Sequence, residues 1–194
     1  MLCNPHNLLG FVLLILSTAT TLAQELNVAD KFTIYEEMNK HQAYIDHEGT
    51  CADAKQYADL YWPEGTFRVI DPNRDATVSG HVGIRSNYDS AHSVFPLYMW
   101  RHSVQAWEIT EANAASSGAQ RANAYWKWRV DWKANTTGVV STGTYTDVFE
   151  KRNGDWKVLH RTSRDDPNWP LYIFAPYSAN ADRLFKSSCG DTSL

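Results

Sequence analysis

His102 sits in the middle of an alternating run from Tyr98 to Thr110, with Trp100, His102, Val104 and Ala106 on one side and Arg101, Ser103 and Gln105 on the other. An imidazole titrates near neutrality, so at such a position it can both give and take protons at working pH. It can equally be a strand histidine bonded to a backbone carbonyl. Asp46 lies on the edge of an apolar helical stripe, where a carboxylate either faces a cavity or faces water beside His47 and Glu48. Trp126, Trp128 and Trp132 share one face of the stretch Tyr125 to Trp132. They are bulky for a face that must also receive helices, and read either as packed core or as the aromatic wall of a small-molecule site. Tyr145 can offer a hydroxyl at the rim or be buried as a core tyrosine, with Phe149 on the same strand face. Asp147 and Arg161 read as a cross-strand ion pair that braces the sheet. His160 can line the same cavity or face solvent. His41 and His47 do not share a helix face, which argues against a metal site, and no cofactor motif is present.

The elements that would position these groups follow from periodicity. Lys31 to Asp46 predicts an amphipathic helix with Phe32, Tyr35, Met38, Gln42 and Ile45 near one stripe. Thr50 resembles an N-cap, with Asp53 three residues on, for a second helix that buries Ala54, Tyr57, Ala58 and Tyr61 and stops at Pro63. Thr66 to Ile70 predicts a short strand, and Asp71 to Asp75 a loop. A third helix opens at Ser79-Gly80 and runs through Val94, with Val82, Ile84, Tyr88 and Ala91 as its apolar positions. Four long strands follow. The last two flank Asn153-Gly154, a dipeptide that favours a type I′ turn. Beyond it, Trp156, Val158 and His160 alternate with Lys157, Leu159 and Arg161.

At 194 residues the chain is long enough for one domain with a full hydrophobic core. Its net charge of -4, without a basic cluster, argues against nucleic acid and anionic membrane as partners. The apolar run Leu8 to Leu16 has the length of a signal-peptide core, and Thr21-Leu22-Ala23 offers small residues before a cleavage point. The expected organisation is therefore a signal peptide over 1–23, a domain over 24–166 and an apolar tail over 167–194 that packs back as a possible lid. A secreted, soluble protein is expected. Cys51 and Cys189 would remain in an oxidising compartment as one disulfide, and Asn135-Thr136-Thr137 is a glycosylation sequon in a hairpin loop.

Three helices followed by long antiparallel strands predict an α+β fold, a curved sheet wrapped around helices on one face. Gly80-x-x-x-Ile84-Arg85, His102, Gly143-x-Tyr145-x-Asp147-x-Phe149 and Gly154-x-Trp156-x-Val158-x-x-Arg161 carry a more specific resemblance. From about Phe32 to Asp166 the chain resembles the nuclear transport factor 2-like superfamily, in particular SnoaL-like polyketide cyclases and scytalone dehydratase. The resemblance implies a cystatin-like α+β barrel with a conical pocket. It implies that His102 and Asp46 face each other there as an acid-base pair, with Tyr145 as a hydrogen-bond donor. Trp126, Trp128, Trp132, Tyr61 and Phe149 would contact the substrate. Scytalone dehydratase uses a second sheet histidine where this chain has Trp132, so its two-histidine mechanism does not carry over. The implied activity is dehydration, isomerisation or cyclisation of a hydrophobic oxygenated natural-product intermediate, without metal or cofactor. A non-catalytic ligand-binding module, a catalyst acting by pocket shape, and a homodimer are also compatible with the family.

Overall fold

The computed structural model describes residues 25–46, 50–71, 74–94, 100–132 and 140–166. The expected leader, Asn135, Cys189 and the tail from 167 onward lie outside them, and for His102 and Trp132 only the backbone is described.

Helix α1 (Val28–Ile45) is capped by Asn27, whose side chain accepts the Asp30 backbone N–H at 2.8 Å. Its buried line is Asp30, Ile34, Met38 and His41; of the stripe that apolar spacing predicts, Met38 is buried, Tyr35 and Ile45 pack partly buried against the core, and Phe32 turns out. Phe32 is 60% exposed. The cause is polar. Asp30 accepts hydrogen bonds from Trp156 Nε1 at 2.8 Å and Lys151 Nζ at 2.6 Å, which fixes the first turn against the sheet and sets the rotation of the helix. Helix α2 (Cys51–Asp59) opens as the sequence indicates. Asp53 N–H donates to Thr50 Oγ1 at 3.2 Å, and Thr50 N–H donates back to Asp53 Oδ2 at 2.9 Å, a complete capping box. Ala54, Tyr57 and Ala58 are its buried face.

Strand β1 (Tyr61–Asp71) starts earlier than expected, ahead of Pro63. Its ladder with the last strand is irregular between Tyr61 and Thr66, and that gap accommodates a proline that cannot donate to it. Strand β2 (Arg74–Ser79) occupies residues whose composition predicts a loop and helix entry. It pairs antiparallel with β1, and Arg68 grips Asp75 across the pair at 2.7 and 2.6 Å. Being a half-exposed edge, it needs no apolar alternation, so its pattern is silent. Helix α3 (Gly80–Val94) buries Ile84 and Tyr88, whereas Val82, an expected core position, is 59% exposed.

Strands β3 (Trp100–Ala112), β4 (Arg121–Trp132), β5 (Val140–Arg152) and β6 (Asp155–Asp165) complete one curved, unclosed six-stranded sheet in the order β2-β1-β6-β5-β4-β3. Only β1 and β6 run parallel. Asn153 (φ 53°) and Gly154 (φ 95°) form the expected two-residue turn between β5 and β6. Two irregularities reset the alternation. Between Val104 and Ala106 the β3 ladder slips, so Ala106 pairs with Lys127 and does not share a face with His102 and Val104. Between Val148 and Phe149 the β5–β6 ladder slips too, so Val158 and Leu159 are both buried and Arg161 turns inward. His160 faces outward, its Nδ1 3.0 Å from Thr66 Oγ1.

Candidate functional site

The helices cover the sheet face that carries Ala122, Ala124, Trp126 and Trp128 on β4, Tyr145, Asp147 and Phe149 on β5, and Arg161 and Ser163 on β6. At its centre Arg161 donates from Nε to Asp147 Oδ1 at 2.7 Å and from Nη2 to Oδ2 at 2.6 Å. The ion pair expected as a brace is therefore present, but it is wholly internal. Burial works against the Arg161 charge; Asp147 outweighs it and holds the guanidinium protonated. Trp126 donates its indole N–H to Asp147 Oδ2 at 2.9 Å, which commits that tryptophan to the centre of the core. The guanidinium lies 5.1 Å from the Trp126 ring, 4.9 Å from Tyr145 and 5.9 Å from Tyr61, an aromatic cage around a neutralised cation.

Tyr145 packs against Trp126 at 4.6 Å and Trp128 at 5.9 Å between ring centres. Burial raises its phenol well above the ordinary value, so it stays a donor. Trp128 lies over Gly143, its cross-strand partner on β5. A Cβ at Gly143 would collide with Cζ2 and Cε2 of that indole and sit 2.6 Å from the Arg164 carbonyl oxygen. Glycine is required here by close approach, not by φ. Phe149 is fully buried and packs with the same cluster.

On the helix side, His41 of α1 is fully buried between Tyr57 and Tyr61, edge-on to both rings at 5.3 and 5.1 Å. The Tyr57 and Tyr61 hydroxyls are 3.3 Å apart. Burial, and then the charge of Arg161, push the His41 imidazole well below its ordinary pKa, so it is neutral. Tyr57 also packs on Tyr88 at 5.1 Å, and the Tyr88 hydroxyl donates to the Tyr44 carbonyl oxygen at 2.6 Å, tying α3 to the end of α1.

The sequence does not single out His41 as chemically important, because its position falls outside the apolar stripe; its i+3 spacing from Met38 is the signal that could have shown it. Asp165 escapes notice as well. It closes β6 opposite Gly143, in phase with Arg161 and Ser163. Desolvation, with a contribution from Asp71 and against the pull of Arg74, raises its carboxyl to about 7.

Of the expected acid-base pair, Asp46 is the half-buried C-cap of α1, its backbone N–H on the Gln42 carbonyl oxygen at 3.1 Å. The His102 backbone pairs with Val130, two residues from the Val104–Trp128 pair, hence in phase with the covered face. Trp132 pairs with Trp100 at the same end of the ladder. Tyr145, Trp126, Trp128, Tyr61 and Phe149 do converge in one interior cluster. Among the described residues no group of three or more His, Cys, Asp or Glu could hold a metal ion.

A family model described as the SnoaL-like domain matches residues 28–162. The chain belongs to the SnoaL-like family. No curated protein matches the chain in sequence. Among solved structures, a cystatin-like-fold protein of unknown function from Nostoc punctiforme superimposes with TM-score 0.62 at 18% identity, covering 76% of this chain and 99% of that one. An NTF2-like protein with a cystatin-like fold from Novosphingobium aromaticivorans gives TM-score 0.59 at 18% identity, with 80% and 88% covered. A further Novosphingobium aromaticivorans protein, provisionally named a scytalone dehydratase, gives TM-score 0.53 at 16% identity, with 72% and 86% covered. The SnoaL-like domain thus has the nuclear transport factor 2-like architecture implied by its sequence motifs.

Proposed function

We propose that this SnoaL-like domain is a cofactor-independent lyase or isomerase that moves protons on a small, hydrophobic, oxygenated molecule. One observation carries the proposal: the covered sheet face sets the hydroxyl of Tyr145 and the Arg161–Asp147 pair among the rings of Trp126, Trp128 and Tyr61, within a water-poor interior. Apolar walls with a few convergent polar groups are the usual composition of a small-molecule site. In a low-dielectric setting such groups act strongly on charge that develops in a transition state.

In this proposal His102 takes a proton from the carbon beside a substrate carbonyl. The electron pair moves into an enolate, whose oxygen accepts a hydrogen bond from Tyr145. The imidazolium then returns the proton to a β-hydroxyl, which leaves as water, or to a different carbon, which isomerises the ring. Asp46 holds the imidazole in the productive tautomer, and Trp132 adds to the wall. The provisional name of the Novosphingobium relative fits a water elimination of this kind.

The experiment is turnover of bicyclic β-hydroxy ketones, followed by the ultraviolet absorbance of the conjugated enone. His102→Ala should lower the rate by about two to four powers of ten. The pH–rate profile should carry a limb near the histidine range. Tight ligand binding without turnover would replace this proposal with a binding module, and turnover independent of pH and of His102 would replace it with catalysis by pocket shape.

A further inference from the structure

Among the described residues, three of the interior polar atoms that packing leaves over belong to His41 and Arg161. Neither ring nitrogen of His41 nor Nη1 of Arg161 has a hydrogen-bond partner among the described residues, although both side chains are fully buried. Each unmade interior bond is costly, more so for a charged group, and native interiors satisfy nearly all of them. An edge-on imidazole can set one N–H against a tyrosine face. The other nitrogen carries a lone pair, which a ring face repels, and Arg161 Nη1 is still left over.

These atoms belong to one place. His41 meets the Tyr61 ring at 5.1 Å, and the Arg161 guanidinium lies 5.9 Å from the centre of the same ring. Tyr57 closes another side, 5.3 Å from His41, with its hydroxyl 3.3 Å from that of Tyr61. Around the Tyr61 ring there thus stand an imidazole, a guanidinium and the paired hydroxyls of Tyr57 and Tyr61.

We propose that His41, Arg161 Nη1 and the Tyr57–Tyr61 hydroxyl pair form an internal subsite for one ketone or enol oxygen of the bound molecule. The proposal rests on the small-molecule reading given above and adds which groups, beside the Tyr145 hydroxyl, hold the substrate oxygen and what kind of oxygen it is. The charge balance selects the class. Asp147 already neutralises Arg161, so a full carboxylate would bring an unbalanced buried charge, at high cost. A cationic amine would meet hydrogen-bond donors and would likewise bring an unbalanced buried charge. A carbonyl oxygen accepts from the donors, and any negative charge that it gains during enolisation is stabilised by the nearby guanidinium. His41 serves as a neutral hydrogen-bonding group, which its depressed basicity supports.

The test uses the intact protein and two probes of nearly equal shape, 1-tetralone and its oxygen-free counterpart tetralin, with affinities measured by calorimetry. The wild type should prefer the ketone by about tenfold or more, the discrimination one well-made hydrogen bond confers. His41→Phe keeps a ring in place but removes both nitrogens; it should bring the ratio close to one while leaving tetralin affinity unchanged. His41→Gln, which can still donate, should retain part of the preference. A wild-type ratio near one, or an undiminished ratio in His41→Phe, overturns the subsite. Should His41→Phe fail to fold, nitrogen NMR of the wild-type imidazole decides: a His41 resonance shifted by 1-tetralone and not by tetralin supports the subsite, and no such shift overturns it. Because these readouts are of binding alone, a failure of the acid-base proposal leaves them intact.

Discussion

Arg161 holds Asp147 through two parallel hydrogen bonds of 2.7 and 2.6 Å, and both side chains are shut off from solvent in the space between β5, β6 and the helices. The guanidinium fork matches the carboxylate in geometry as well as charge, and Trp126 adds a third donor at 2.9 Å. Asp147→Ala would strip the partner from a buried cation. It should destabilise the domain by about 3–5 kcal/mol in urea denaturation. The double variant Asp147→Leu with Arg161→Leu should cost less than either single change, because no charge is then left unpaired. Additive losses would show that the pair is not coupled.

Gly143 and Trp128 form a second interlocked pair. The indole occupies the volume that a methyl group at position 143 would need, and the Arg164 carbonyl blocks retreat on the other side. Gly143→Ala should therefore destabilise by about 1–3 kcal/mol, the usual range for overpacking. Trp128→Leu combined with Gly143→Ala should recover part of that loss in a double-mutant cycle. A Gly143→Ala variant as stable as wild type would contradict this packing.

Asp165 makes stability depend on pH with an inverted sign. Its carboxyl is raised from 3.8 to about 7, chiefly by desolvation, so between these values the folded state holds a proton that the unfolded state has released. Stability from this residue is complete below pH 3.8, declines as pH rises and is lost above about 7. Asp165→Asn should remove the decline, seen as a flatter melting temperature from pH 5 to pH 8. An unchanged slope would place the proton elsewhere.

A disulfide between Cys51 and Cys189 is proposed from cysteine count and an expected secretory address. It would tie the apolar tail to the first residue of α2. By the chain-entropy model, a loop of this length would contribute about 4–5 kcal/mol, less any strain. Non-reducing peptide mapping of secreted protein should recover the two cysteines in one linked pair. Recovery of both as free thiols would sink the pairing.

The fold class, the three helices, the capping box at Thr50 and Asp53, and the Asn153-Gly154 turn are legible in the sequence because each is a local matter. A helix start needs an acceptor within one turn, and a type I′ turn needs two residues that tolerate positive φ. The motif spacing from Gly80 to Arg161 also carries the family. Alternation likewise identifies Tyr145, Asp147 and Phe149 as one face of β5.

What the tertiary structure alone decides comes from contacts distant in sequence. The rotation of α1 is set by Asp30 reaching Trp156 and Lys151, more than a hundred residues away, and it brings His41 inside where apolar spacing would leave it out. The inward turn of Arg161 depends on a ladder irregularity between β5 and β6, since a shift of one residue exchanges the two faces of a strand. The slip in β3 likewise separates Ala106 from the face in phase with His102. The raised pKa of Asp165 follows from desolvation and then from the charge of Asp71, a neighbour supplied by β1 packing in parallel on β6. Helical and strand periods record which residues are apolar; the side on which a polar residue ends up depends on the partner that meets it after the chain has folded.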